Sequence, residues 1–237
     1  MQPTYLPWLG YFDLIDKVDV FVFYDDVQLT KRSWQVRNRI ATKNGEQLLT
    51  VPIKKDKSRD NTYISNAKIS YDHNWVNDHL KALKFNYSPT LYFDEVFKFI
   101  KTELEKKYDT LSQLNTSIIT NISNRIGLNT RFLHSSNIGG IDKNKDYRLA
   151  YITKKIGSTI YLSPKGSADY IESRSPGGAL VENNTDLYYH CYNHPTYNQL
   201  VKNFVSHMSI IDLLFNEGFD RALEIIRSGR KDDIHYS

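Results

Sequence analysis

Residues Asp19 to Gln28 read DVFVFYDDVQ, and this stretch limits the fold more than any other. Its apolar run, Val20 to Phe23, is short, unbroken and bounded by acids. Such a run suits a strand covered on both faces, the kind that parallel sheets flanked by helices contain. Asp25 and Asp26 follow at once, so polar groups gather where the strand ends. Upstream, WLGYFDLIDKV places Leu9, Phe12, Leu14, Ile15 and Val18 at helical spacing.

Downstream the pattern changes three times. VRNRIATKNGEQLLTVPI holds two extended runs around Asn44-Gly45, the strongest short signal for a hairpin, near residues 36–53. TYISNAKIS alternates and predicts a strand. Between about 74 and 127, apolar residues recur every three or four positions, interrupted at Pro89 and at Tyr108-Asp109-Thr110, which predicts a three-helix insertion. TRFLHSS then reads as a strand, KDYRLAYITKKIG as a helix stopped at Gly157, and STIYLSP as a strand. KGSADYI reads as a loop entering a short helix, and DLYYHCYN as a further strand. SIIDLLFNEG and FDRALEIIRSG read as two helices with glycine stops. The spacing therefore predicts one α/β domain over 1–237, with a mostly parallel, Rossmann-like sheet and helices on both faces.

Charge is local. The net charge is +4, yet residues 31–60 carry nine Lys or Arg and three acids, so that segment is +6 and the remainder −2. One cationic patch suits a phosphorylated small molecule and argues against a nucleic-acid binder. Lys54 to Arg59 reads as a solvated face. No apolar run approaches the ~20 residues of a membrane helix, and the start lacks the basic-then-apolar pattern of a secretion signal. A single Cys191 leaves no disulfide framework or cysteine zinc site. These features point to a cytoplasmic chain, with an oligomer compatible with them. The many aromatic residues read first as core.

Ligands of open parallel sheets bind beyond the carboxyl ends of the strands. Asp25, Asp26 and Gln28 fall there, as do Ser163, Lys165 and Gly166, whose turn could offer backbone N–H groups to an anion. Arg32, Arg37 and Arg39 provide forked donors for phosphate or carboxylate, and Trp34 a stacking face. On a strand, Arg37 and Arg39 share one side with Asn38 opposite. Asp25 and Asp26 could hold a metal–phosphate complex or an amine, or pair internally with these arginines. The opening QPTYLPWLGYF is stiffened by Pro3 and Pro7. Gln2, Tyr5, Trp8, Gly10 and Tyr11 either wall a preformed pocket or plug the helix start, and the two readings are compatible. His194 and His207 are the candidates for proton transfer. His190 and His194 are about 13 Å apart if extended, which disfavours a metal there; no metal site is expected. His73 and His79 read as surface residues of the helical insertion. The absence of G-x-S-x-G argues against a serine hydrolase.

The opening block through Ile40, then TVPI, YLSPKGSADYI, HPTYNQ and SIIDLLFNEG in that order, resembles the WbqC-like family over almost the whole length. Members of that family carry a short strand ahead of the Gln-Pro pair. Here Met1 precedes Gln2 directly, which implies a shortened first strand or a different start. The resemblance implies a setting among genes for O-antigen and other surface polysaccharides. It also implies modification of a nucleotide-linked amino sugar, by N-acyl or aminoacyl (glycyl-type) transfer to the sugar amine. A weaker likeness links the opening to nucleotidyltransferases and related ATP-dependent ligases. Their H-x-G-H motif is replaced here by Trp8-Leu9-Gly10-Tyr11. Under the transferase reading Asp25, Asp26 and His194 are catalytic candidates, and the arginines and aromatics bind substrate. ATP–Mg or an activated acyl donor is the implied co-reactant. The alternatives are an ATP-dependent ligase and a non-catalytic binding or assembly protein.

Overall fold

The computed structural model describes residues 1–30, 32–55, 62–139 and 145–236. Lys31, Lys57 and Arg59 of the cationic stretch lie outside the described residues. Among those described, eight α-helices and seven strands form a mixed α/β structure. Helix α1 (Leu9–Asp16) leads into β1 (Val20–Phe23), which pairs in parallel with β4 (Arg131–His134). The hairpin is β2 (Arg37–Thr42) and β3 (Gly45–Thr50), turning at Gly45 with φ +112°. Helices α2 (Trp75–Tyr87), α3 (Phe93–Glu105) and α4 (Leu111–Arg125) fill the predicted helical block. The third opens on a capping box between Thr110 and Gln113. Helix α5 (Lys145–Lys155) precedes β5 (Ile160–Pro164), and the short α6 (Ala168–Ile171) and α7 (Gly178–Glu182) precede β6 (Asp186–His190). Strand β6 runs parallel to β5 and antiparallel to the two-residue β7 (Ile234–His235). Helix α8 (Ile210–Ser228) lies between them in sequence.

Two expectations about the strands need correction. The parallel strands do not form one continuous sheet. They stand as two short pairs, β1 with β4 and β5 with β6, on either side of a groove of about 1070 Å³ lined by both β1 and β5. Met1 pairs with the edge of β1: its nitrogen donates to Val22 O (2.7 Å) and its carbonyl accepts from Tyr24 N (2.8 Å). That is the bonding of a parallel bridge to Phe23. Residues 62–70 form a turn and isolated bridges instead of a strand. The Asn66 side chain accepts from Tyr63 N, closing a local turn that competes with a ladder. The two closing helices are present as expected: α8 is two helices that meet at Gly218, whose φ of +78° and ψ of 174° are not helical. A Cβ there would meet the Tyr92 ring at 2.7 Å, so glycine serves both the bend and the contact.

The main core joins α1, β1, the hairpin, α2–α4 and α8; a smaller core lies between α5, α6, α7 and β6. The opening segment is part of the larger one. Tyr5, Tyr11 and Phe12 are at most 1% exposed. Because residues 3–7 have no regular ladder, buried side chains satisfy their carbonyls. Asn38 Nδ2 donates to Tyr5 O and Leu6 O, Asn115 Nδ2 to Pro3 O and Gln35 O, and Ser209 Oγ to Leu6 O. His79 is also buried, not a surface residue. Its ring meets the Tyr5 hydroxyl at 3.0 Å, and burial lowers its pKa to about 4.

Candidate active site

Strands β1 and β4 end side by side, and their next residues build a compact polar cluster. Asp25 is buried, 2% exposed, behind the end of β1. His134, the last residue of β4, donates from Nδ1 to Asp25 Oδ2 at 2.8 Å. Ser112 Oγ, at the start of α4, donates to the same oxygen at 3.0 Å, and Ser136 N donates to Oδ1 at 3.1 Å. Burial alone would raise the Asp25 pKa. The hydrogen bonds from His134, Ser136 and Ser112 outweigh it and hold the carboxyl below its ordinary value. An ionised carboxylate only accepts, so the proton of a neutral His134 ring lies on Nδ1. Its Nε2 is then a free lone pair, with no partner among the described residues, on a side chain 35% exposed.

Asp26 faces a different partner. It forms an ion pair with Arg148 of α5 and accepts from the Ser135 hydroxyl. Arg148 is itself 2% exposed, and its Nη1 is buried with no partner. A buried guanidinium without its Asp would be costly, so Asp26 neutralises Arg148 and fixes α5 against the strand ends. Tyr24, next to Asp25, faces the groove between the parallel pairs; burial and the Asp26 charge raise its phenol pKa to about 12.

The sequence profile of the WbqC-like protein family matches residues 2–224. The chain belongs to this family. A protein of Mycobacterium tuberculosis (strain ATCC 25618 / H37Rv), titled uncharacterized protein Rv1507c, is 36% identical over 220 residues, covering 92% of each chain. No solved structure matches the present chain.

In this WbqC-like chain the predicted residues fall in several separate places. Asp25 and Asp26 lie in the polar cluster. Gln2 and Trp34 line the groove, with Trp34 about half exposed and the Arg39 guanidinium 5.6 Å from its ring centre. Arg37 and Arg39 share the outer side of β2, as the period of two required, and Asn38 faces inward. Arg39 pairs with Glu46, and Arg37 forms no ion pair among the described residues. Neither arginine reaches Asp25 or Asp26, so the internal pairing anticipated there is replaced by His134 and Arg148. Arg32 and Gln28 are exposed, as are Lys165 and Gly166 in the turn after β5. Nothing lies within 4 Å of a Cβ at Gly166, so that turn does not require glycine. Ser163 is fully buried, with its hydroxyl unpartnered. Tyr5, Tyr11 and Gly10 are core positions; a Cβ on Gly10 would meet the Trp8 indole at 2.4 Å.

His194 belongs to a separate aromatic group. It stacks on Trp8 at 6.2 Å, with His207 and Phe204 close by. Its Nδ1 donates to Pro195 O, its Nε2 is buried without a partner, and burial lowers its pKa to about 4. The unfolded chain, with an ordinary value of 6.5, takes up this proton first. The contribution of His194 to stability is thus complete above pH 6.5 and lost as pH falls towards 4. His194→Phe is expected to flatten the fall in stability over that window in urea titrations. An unchanged slope would assign the titration to another group.

Sequence reasoning missed His134 and Arg148. The rule that found Asp25, a polar residue closing an apolar strand, also applies to His134 in RFLHSS. Arg148 carried no such signal, because a helix of mixed charge does not disclose which cation faces inward.

Proposed function

We propose that this protein is an enzyme of surface-polysaccharide biosynthesis that transfers an acyl or aminoacyl group to the amine of a nucleotide-linked amino sugar. The observation that carries the reading is the His134–Asp25 pair, with a free Nε2 at the carboxyl ends of two parallel strands. The polysaccharide setting is what the resemblance to WbqC-like proteins implies. On this reading the two parallel pairs are halves of one Rossmann-like arrangement in a single domain, and α2–α4 are an insertion. The cytoplasm is the expected compartment, because nucleotide sugars are made and used there.

The chemistry suits such a pair. A sugar amine attacks the carbonyl carbon of an activated acyl donor. The C–N bond forms, the donor's leaving group departs with its electron pair, and one N–H proton must be removed. His134 Nε2 accepts that proton, and the Asp25 carboxylate stabilises the imidazolium that results. Arg32, Arg37 and Arg39 supply cations for the diphosphate, and Trp34 a face for the base or sugar.

The test is incubation of purified protein with nucleotide-linked amino sugars and acyl donors, with ATP–Mg in a parallel arm, followed by mass spectrometry of the sugar. An N-acylated product is the expected outcome. ATP consumption dependent on both an amino acid and the sugar would make the enzyme a ligase. Neither product nor binding at millimolar sugar would overturn the reading.

A further inference from the structure

The opening segment and the loop before β2 meet through two amide side chains whose direction is fixed from one end. A backbone N–H can only donate, and Thr30 N donates to Gln35 Oε1 at 3.0 Å. Oxygen and nitrogen of the buried Gln35 amide are thereby told apart, and its Nε2 faces Gln2. That nitrogen donates to Gln2 Oε1 at 2.7 Å. Gln2 is oriented in its turn. Its side-chain oxygen is engaged, and its Nε2 carries two N–H donors with no partner among the described residues. Gln2 lines the groove together with Ser33 and Trp34.

Trp34 stands beside this donor. Its carbonyl accepts from Tyr5 N at 2.9 Å, which ties it to the opening segment, and its half-exposed ring lines the groove. Arg39, 5.6 Å from the ring centre, is not among the described residues that line the groove, so the indole keeps a surface open to it. Gln2 and Trp34 lie past Met1, in the direction in which β1 runs. A parallel neighbour of β1 that led into Met1 would lie beside Val20 and Val22. The pairing of donor and indole is therefore independent of what fills the groove behind Met1.

An open indole with a fixed donor next to it suits a flat ring that carries an acceptor on its edge. Stacking does not choose among nucleobases, because every base has a π-face. The amide does choose. Uracil and thymine carry the carbonyl O4 on their outer edge and guanine carries O6, whereas cytosine and adenine carry an amino group there. A fixed N–H pair bonds to the carbonyl and meets the amino group donor to donor. We propose that Gln2 is the specificity-determining residue of a nucleobase subsite stacked on Trp34, and that it selects keto bases over amino bases. The inference rests on the reading of the substrate as nucleotide-linked and adds which nucleotides fit. Discrimination comes from the wrong base, which leaves polar groups unpaired.

The test is calorimetric titration of the full chain with UDP, CDP, GDP and ADP, without sugar or acyl donor. UDP is expected to bind at least tenfold more tightly than CDP, and GDP at least tenfold more tightly than ADP. Gln2→Glu keeps an oxygen for Gln35 Nε2 but turns the open donor into an acceptor, so both ratios should invert. Trp34→Ala should weaken all four ligands alike. Equal affinity for UDP and CDP would overturn the proposal, as would ratios that Gln2→Glu leaves unchanged. No binding of any of the four at millimolar concentration would overturn it as well. If Gln2→Glu does not fold, the two ratios of the unaltered chain still decide. The subsite and the acyl transfer fail separately. Keto-selective binding without an acylated sugar keeps the subsite and removes the transferase, and an acylated product from a chain indifferent to the base does the reverse.

Discussion

Replacing His134 with Gln is expected to cut turnover of the proposed acyl transfer by about 10²–10⁴-fold, the usual worth of a positioned proton acceptor. Losing the Nδ1 bond leaves the buried Asp25 carboxylate short of one donor, at a cost of about 1–3 kcal/mol of stability, so turnover is compared on protein shown to be folded. Asp25→Asn offers the sharper comparison. Asparagine keeps the size of the side chain but can present an N–H to the imidazole, which favours the wrong tautomer. Turnover should fall with little change in KM. If instead KM rises and turnover is kept, the pair holds the fold or the substrate and does not move a proton. If both variants remain fully active, the reading built on His134 fails.

The second large effect concerns stability. Tyr11→Ala is expected to cost about 3–5 kcal/mol, the range for deleting a buried aromatic ring. Tyr11 is 1% exposed, packs against Phe12 and Phe21, and donates from its hydroxyl to Gln2 O at 3.0 Å. For a chain of this size the melting temperature should fall by about 6–20 °C. Trp34→Ala, at a half-exposed ring, should change stability by no more than about 0.5 kcal/mol. Calorimetry on the two variants separates them. Similar losses would mean that Trp34 is a structural contact and not a surface for ligand.

The contrast between these aromatics shows what the sequence could and could not disclose. Asn44-Gly45 marked the hairpin because few residues tolerate its turn. The helices α2–α4 were legible because each has a long periodic face, and Asp25 was legible because it ends an apolar run. The roles of Tyr5 and Tyr11 were not, since a proline-rich aromatic loop has the same composition whether it walls a pocket or fills a core. The deciding feature is the set of distant side chains, Asn38, Asn115 and Ser209, that fasten its carbonyls. The break between β1 and β5 was equally hidden: each strand is well formed by itself, and only tertiary placement sets the space between them. HPTYNQ is another case. Tyr197 and Gln199 donate to the buried Asp212, and Asn198 to Glu217, so this block ties a loop onto α8.

The fastening of the opening segment has a consequence for how the chain comes off the ribosome. Ile210 N donates to Pro7 O, and Ser209 Oγ to Leu6 O, across more than two hundred residues. Contacts so remote in sequence close late, because the intervening loop must be ordered first. During synthesis α1 and the aromatic segment before it remain without α8, against which α1 finally lies, until translation has passed that helix. Residues made long before α8 are thus among the last to be buried, and the nascent chain carries a sticky aromatic stretch that a chaperone, or a slow pause in translation, would have to keep from its neighbours.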